Sequence, residues 1–337
     1  MIQWTAHKRR VRALGYSPDG AMLVSGGDDQ ALRIWDPVSG ERRADVRHDF
    51  PSIEDLAFSP NGRLLALATG LPAVVVCDRN GLRDGPLTGT TSRDTWDPGV
   101  SSIAFSPDGQ YIVSAGAVPR SASRAILWHV SGFRRNRQQH DPAPRIDSLD
   151  LSDNDTLTAT YSSDGRTIAL GTSRGMIVFW PYPVPWEHLR ESDRVARDRH
   201  LRRSRMVEVR AGSEDPVRRV AFSPDGTTLA ASIGNVVDFW DYQHSEDKLP
   251  IVSKRRRLLG HTRAVQSLAF APDDRTIITA SLDGTLRIWD ARESFERSCL
   301  DPGIGPLHCM ALAPDGMTVA VGGESGEIAI MDLDERP

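Results

Sequence analysis

Lysine is nearly missing from this chain: Lys8, Lys248 and Lys254 stand against 38 arginines in 337 residues. We read that skew as the coding bias of a GC-rich bacterial genome, since no physical constraint demands it. Cysteine is equally scarce. Cys77, Cys299 and Cys309 are odd in number and form no C-x-x-C, which excludes a disulfide framework and a zinc site. No apolar run is long enough to span a bilayer, and the opening MIQWTAHKRR lacks the apolar centre of a signal peptide, so the expected location is the cytoplasm. A formal net charge of −4 argues against a general binder of nucleic acid or membranes. H-E-x-x-H, the P-loop and G-x-G-x-x-G are all absent. Gly171-Thr172-Ser173-Arg174-Gly175 matches G-x-S-x-G, but that motif needs a strand, a sharp turn and a helix, and here it falls between two strands. No catalytic residue, metal or cofactor is therefore assigned.

What the chain has is repetition, which must be settled before any motif is read. The clearest copy runs from 260 to 290, GHTRAVQSLAFAPDDRTIITASLDGTLRIWD. Its three alternating apolar runs, separated by turn residues, predict a three-strand meander. Six further copies carry the same turn: VRALGYSPDG from Val11, IEDLAFSPNG from Ile53, VSSIAFSPDG from Val100, TLTATYSSDG from Thr156, VRRVAFSPDG from Val217 and LHCMALAPDG from Leu307. In S-P-D-G, Pro presets φ at the first corner, Asp bonds the local backbone and Gly accepts positive φ. Seven such turns in register, each followed by a strand pair, are a strong signal.

These features resemble the WD40-repeat β-propeller family, in a bacterial-type module, over nearly the whole chain. The resemblance implies an all-β fold: a seven-bladed propeller, four antiparallel strands per blade, in one domain spanning 1–337. The last unit stops without a fourth strand, and Ile2-Gln3-Trp4-Thr5 precedes the first, so the N-terminal strand is expected to close the last blade. The resemblance also assigns two full structural tetrads, a hydrogen-bonded chain from Trp through Ser or Thr to His and Asp. They are His7, Ser25, Asp29 and Trp35 in unit one, and His261, Thr279, Asp283 and Trp289 in unit six. Other units depart from it: Cys77 stands where Trp would be, Arg174 and Gly234-Asn235 replace the turn Asp, and unit seven lacks Trp. Hydrophobic packing is expected to serve in their place.

Insertions interrupt the spacing at 118–123, 131–155 and 181–216. The last has helix composition after its prolines, with acid-before-base pairs Asp193 with Arg197 and Asp198 with Arg202. Eight arginines face five acids between 187 and 210, which reads as a solvated helix, with RNA binding through Arg190 to Arg210 as the sharper alternative. Asp147, Asp150, Asp153 and Asp155 lack the oxygen spacing and glycine turn of a calcium loop and read as a solvated linker. Lys254-Arg255-Arg256-Arg257 falls where an outer strand belongs, and its charge reads as edge protection.

In WD40 proteins partners dock over one end of the ring, where side chains beside the first apolar residue of each inner strand point. Here those residues are Arg12, Glu54, Ser101, Leu157, Arg218, Gln266 and His308, with Arg10 just ahead in unit one. The expected function is a non-catalytic protein-interaction scaffold whose partner presents an acidic segment to the Arg12/Arg218/His308 arc. The resemblance suggests a signalling kinase or STAND-type NTPase as the partner system. An enzyme or small-ligand site in the central channel is the alternative.

Overall fold

The structure is a computed structural model; it describes residues 1–71, 73–82, 85–86, 89–93, 99–117, 123–130, 145–151, 155–181, 206–243 and 250–333. Within these residues the chain forms seven sheets, each built on four antiparallel strands. The seven innermost strands are Val11–Tyr16, Asp55–Phe58, Gly99–Phe105, Thr156–Tyr161, Val217–Phe222, Val265–Phe270 and Leu307–Leu312. They number blades one to seven. Each is followed by two strands in hairpin order and one outer strand, except in blade seven. There the outer strand is Ile2–Thr5, paired with Glu327–Asp332 in the register Ile2↔Ile330 to Thr5↔Glu327. The ring closes as the sequence predicts.

In blades one to five the turn between the first two strands repeats one local solution built on a serine, and blades six and seven, with Ala271 and Ala313 there, keep only the aspartate part. In blade one Ser17 Oγ donates to Asp19 Oδ1 (2.5 Å) and accepts from the Met22 amide (3.0 Å). Asp19 Oδ1 also accepts from the Ala21 amide, and Gly20 takes φ 68°. That conformation favours glycine, though blade six puts Asp274 there at φ 54°. Apolar residues then join the blades. Val11, at the start of the ring, packs so close to Gly322 of blade seven that a Cβ on the glycine would lie 2.7 Å from Val11 Cβ. Val11, Cys309, Ala320, Ile328 and Trp35 form one buried cluster across that joint. Burying a side chain of this size contributes about 1.5–3 kcal/mol, so apolar packing holds the closing joint.

Three details differ from the expectations. Gly85–Pro86 adds a short parallel strand outside Arg42–Arg47, so blade one's sheet has five strands. Asp147 and Asp150 belong to the outer strand of blade three, Arg145–Leu151, and not to a linker. An outer strand has one open edge, so it tolerates charge that an inner strand would not. Val207–Arg210 likewise forms blade four's outer strand, while 182–205, with the expected helix and most of its arginines, lies outside the described residues. Lys254 to Arg257 do sit in an outer strand, Ile251–Leu258 of blade five.

Candidate interaction face

Both tetrads form. In blade one Trp35 Nε1 donates to Ser25 Oγ (2.8 Å), Ser25 Oγ lies 2.7 Å from His7 Nε2, and His7 Nδ1 lies 2.7 Å from Asp29. Blade six repeats this at 2.8, 2.8 and 2.9 Å through Trp289, Thr279, His261 and Asp283. An ionised carboxylate only accepts, so Nδ1 carries the proton and Nε2 takes the hydroxyl hydrogen. Burial alone would raise the Asp29 carboxyl, but His7, the Lys8 amide and Arg33 outweigh it and hold it well below the usual range. At Asp283 burial is overcome in the same way by Thr285, the Thr262 amide and His261. These chains pin the loops at one end of the ring.

At that end the inner strands share an irregularity. In blades one, three, four, five, six and seven the pairing register slips around a single residue: Arg12, Ser101, Leu157, Arg218, Gln266 and His308. In blade two Glu54 precedes the strand and its amide bonds the Ala68 carbonyl. A bulge leaves its extra residue unpaired and re-aims the side chain. Six of the seven blades thus carry their rim residue on a bulge, at one height, and blade two carries Glu54 just ahead of its strand.

The rim residues differ in how far they are engaged. Arg12 reaches Glu54 Oε2 (2.6 Å) and pairs with Asp28. Burial alone would lower the Arg12 pKa, but the Asp28 hydrogen bond and the Glu54 charge turn its net direction upward. Arg10 lies 3.5 Å from Asp28. His308 Nε2 is 3.7 Å from Glu324, and burial, aided by the Arg10 charge, lowers its pKa. Ser101 Oγ donates to backbone carbonyls, including Ala115 (3.2 Å). Arg218 is exposed, and neither it nor Gln266 has a hydrogen-bond or ion-pair partner among the described residues.

One step further along each inner strand lies a second tier that the sequence reading missed. Arg219 Nη1 of blade five donates to Asp55 Oδ2 of blade two (3.1 Å). Those blades are three apart in a ring of seven, so the bridge crosses the central channel. Asp55 also accepts from Ser102 Oγ (3.0 Å) and the Ile103 amide (3.1 Å) of blade three. Ser102 in turn accepts from the Ala159 amide of blade four (3.2 Å). Two neighbouring arginines inside an otherwise apolar inner strand were the available signal; the partner of Arg219 is 164 residues away.

The family described as WD domain, G-beta repeat matches four stretches of the chain, 1–36, 89–121, 205–241 and 253–290. The chain is a seven-bladed β-propeller that carries WD40 repeats at those four positions. It is similar to a fruit-fly (Drosophila melanogaster) Protein LST8 homolog, 24% identical over 80% of this chain and 75% of that protein. It is also similar to a maize (Zea mays) guanine nucleotide-binding protein subunit beta, 21% identical over 94% of this chain and 78% of that one. Similarity to Protein HIR1 of Gibberella zeae is 23% over 95% of this chain but only 33% of HIR1.

Outside blades one and six the tetrad varies, and in blade five the replacement is not the hydrophobic packing that was expected. Blade three keeps half of it, with Trp128 Nε1 donating to Ser114 Oγ (2.8 Å). In blade two the Cys77 thiol occupies the Trp position, buried, with its pKa pushed up to about 12 by burial. Blade five replaces the tetrad with a buried ion cluster. Asp238, fully buried, accepts from Lys254 Nζ (2.6 Å) and Arg257 Nε (2.5 Å). Two of the four basic residues of the outer strand therefore serve blade five itself. Among the described residues no cluster of potential metal ligands occurs, and no helix is long and apolar enough to cross a membrane.

Proposed function

We propose that this WD40 propeller is a cytoplasmic, non-catalytic scaffold that docks a partner protein over the end of the ring where the bulges gather. The supporting observation is the shared bulge: six blades turn a different side chain out of pairing at the same height. Such a rim costs ladder hydrogen bonds in six blades, which a purely structural ring has no need to give up. The similarity to a beta subunit of a guanine nucleotide-binding protein, a protein named as part of an assembly, supports the same reading. A signalling kinase or STAND-type NTPase is the partner system we favour. Catalysis in the channel has less support, because its titratable groups already engage each other: Arg12 with Glu54, and Arg219 with Asp55.

The test is capture from native lysate on the wild-type propeller and on a variant changed at Arg10, Arg218 and His308, with protein and RNA both identified. The proposal expects a protein held by the wild type and lost with the variant. Equal recovery on both contradicts the docking end. Recovery of RNA alone, abolished by deleting 182–205, contradicts the scaffold itself.

A further inference from the structure

We infer that one sector of the channel mouth, on blades four, five and six, is a carboxylate-binding site; this deepens the docking end proposed above and rests on it. The cationic groups on the other side are already neutralised. Arg12 is shared between Asp28 and Glu54, Arg10 lies beside Asp28, and His308 sits between Arg10 and Glu324 with its basicity lowered by burial. An incoming anion would have to displace a resident carboxylate at each of them.

The opposite sector holds unspent donors. The bulge in blade five sends two consecutive arginines to different levels. Arg218 stands exposed on the rim without a partner among the described residues. Arg219 enters the channel, uses one Nη on Asp55, and keeps 37% of its side chain exposed there. At the same two levels blade six offers the Gln266 amide and the Ser267 hydroxyl, for which no partner occurs among the described residues. Blade four offers Thr158, whose residue is 1% exposed and whose Oγ1 has no hydrogen-bond partner among the described residues. The equivalent side chain in blade three, Ser102, is fully used, on Asp55 and the Ala159 amide. A buried hydroxyl left without a partner where its counterpart has two is a vacancy for a ligand atom. A guanidinium fork and hydroxyl or amide donors on three adjacent blades match the planar, acceptor-only carboxylate.

The test measures fluorescence anisotropy of a fluorescein-labelled hexaglutamate peptide at low salt, on the full chain, with citrate as competitor. Wild type should bind. Arg218→Gln should raise Kd at least tenfold and Thr158→Val at least threefold. Arg9→Gln, an exposed arginine at the same end but outside the sector, should change Kd less than twofold. Unchanged melting temperatures show that the variants fold. Displacement by citrate assigns the site to free acids; peptide binding that resists citrate assigns it to a presented acidic loop. Either result upholds the carboxylate assignment. Equal weakening by Arg9→Gln and Arg218→Gln overturns it, because that is what diffuse charge predicts. Failure of wild type to bind either probe also overturns it, while a partner captured from lysate would still uphold the docking end.

Discussion

Arg219 and Asp55, 164 residues apart in sequence, meet across the axis of the ring at 3.1 Å. Asp55 is 6% exposed and holds two further donors from blade three, so the bridge ties blades two, three and five together. Breaking a buried pair is costly because a desolvated charge is left behind; here Arg219 keeps access to water, which softens the loss. In a double-mutant cycle, Asp55→Ala and Arg219→Ala should show a coupling of about 0.5–3 kcal/mol in chemical denaturation. Additive losses would mean the bridge carries no energy.

The tetrads predict a ranking. Asp283 receives His261, Thr285 and the Thr262 amide, whereas Arg174 occupies the corresponding turn of blade four on the surface. Asp283→Ala should cost about 1–3 kcal/mol by leaving buried donors unpaired. Arg174→Ala should stay within about 0.5 kcal/mol, as exposed substitutions usually do. Denaturation midpoints in the reverse order would refute the tetrad's role.

Blade five offers a gain. Trp240 is fully buried and its Nε1 has no partner among the described residues. Trp35 pairs with Leu23, Trp289 with Ile277 and Trp128 with Ile112, and each hydroxyl partner lies two residues beyond. Trp240 pairs with Leu229, so its missing partner belongs at Ala231. Ala231→Ser should stabilise by about 1 kcal/mol. A melting temperature that stays level or falls would show that the register argument does not carry over to this blade.

These cases mark what could be read beforehand. Turn chemistry is local, so Ser17 to Gly20 and its copies announced seven blades, and the spacing from His7 to Trp35 and from His261 to Trp289 announced the tetrads. The rim residues were named by position alone; that six of them are bulges depends on pairing register, which a single strand does not encode. Asp147 and Asp150 were misread because an outer strand lacks the two apolar faces that make an inner strand recognisable. Asp55 with Arg219, and Asp238 with Lys254 and Arg257, were invisible because a charge gives no sign in sequence of which distant charge it meets.

Acid should weaken the fold in two stages. Burial lowers the pKa of His261 and His48, against the raising effect of Asp283 and Asp49. Between the folded value and about 6.5 the unfolded chain therefore binds more protons, so this contribution is complete above pH 6.5 and declines as pH falls. Asp29 and Asp283 are depressed, so their contribution is present above about pH 4 and is lost below it as they protonate. The melting temperature should be level from pH 8 to 7, drop from 6.5 to 5, and drop faster below 4. A rise between pH 7 and 5 would reverse the sign argued for the histidines.

The docking face depends on a closed, rigid ring that holds the bulged residues at one height. Hydrogen exchange of the peptide covering Ile2–Thr5 tests this most directly. Paired with Glu327–Asp332, those amides should be protected comparably to the outer strand Phe295–Leu300 of blade six. Exchange of that peptide within seconds, while Phe295–Leu300 stays protected, would mean the ring is open and the docking face is not the one described.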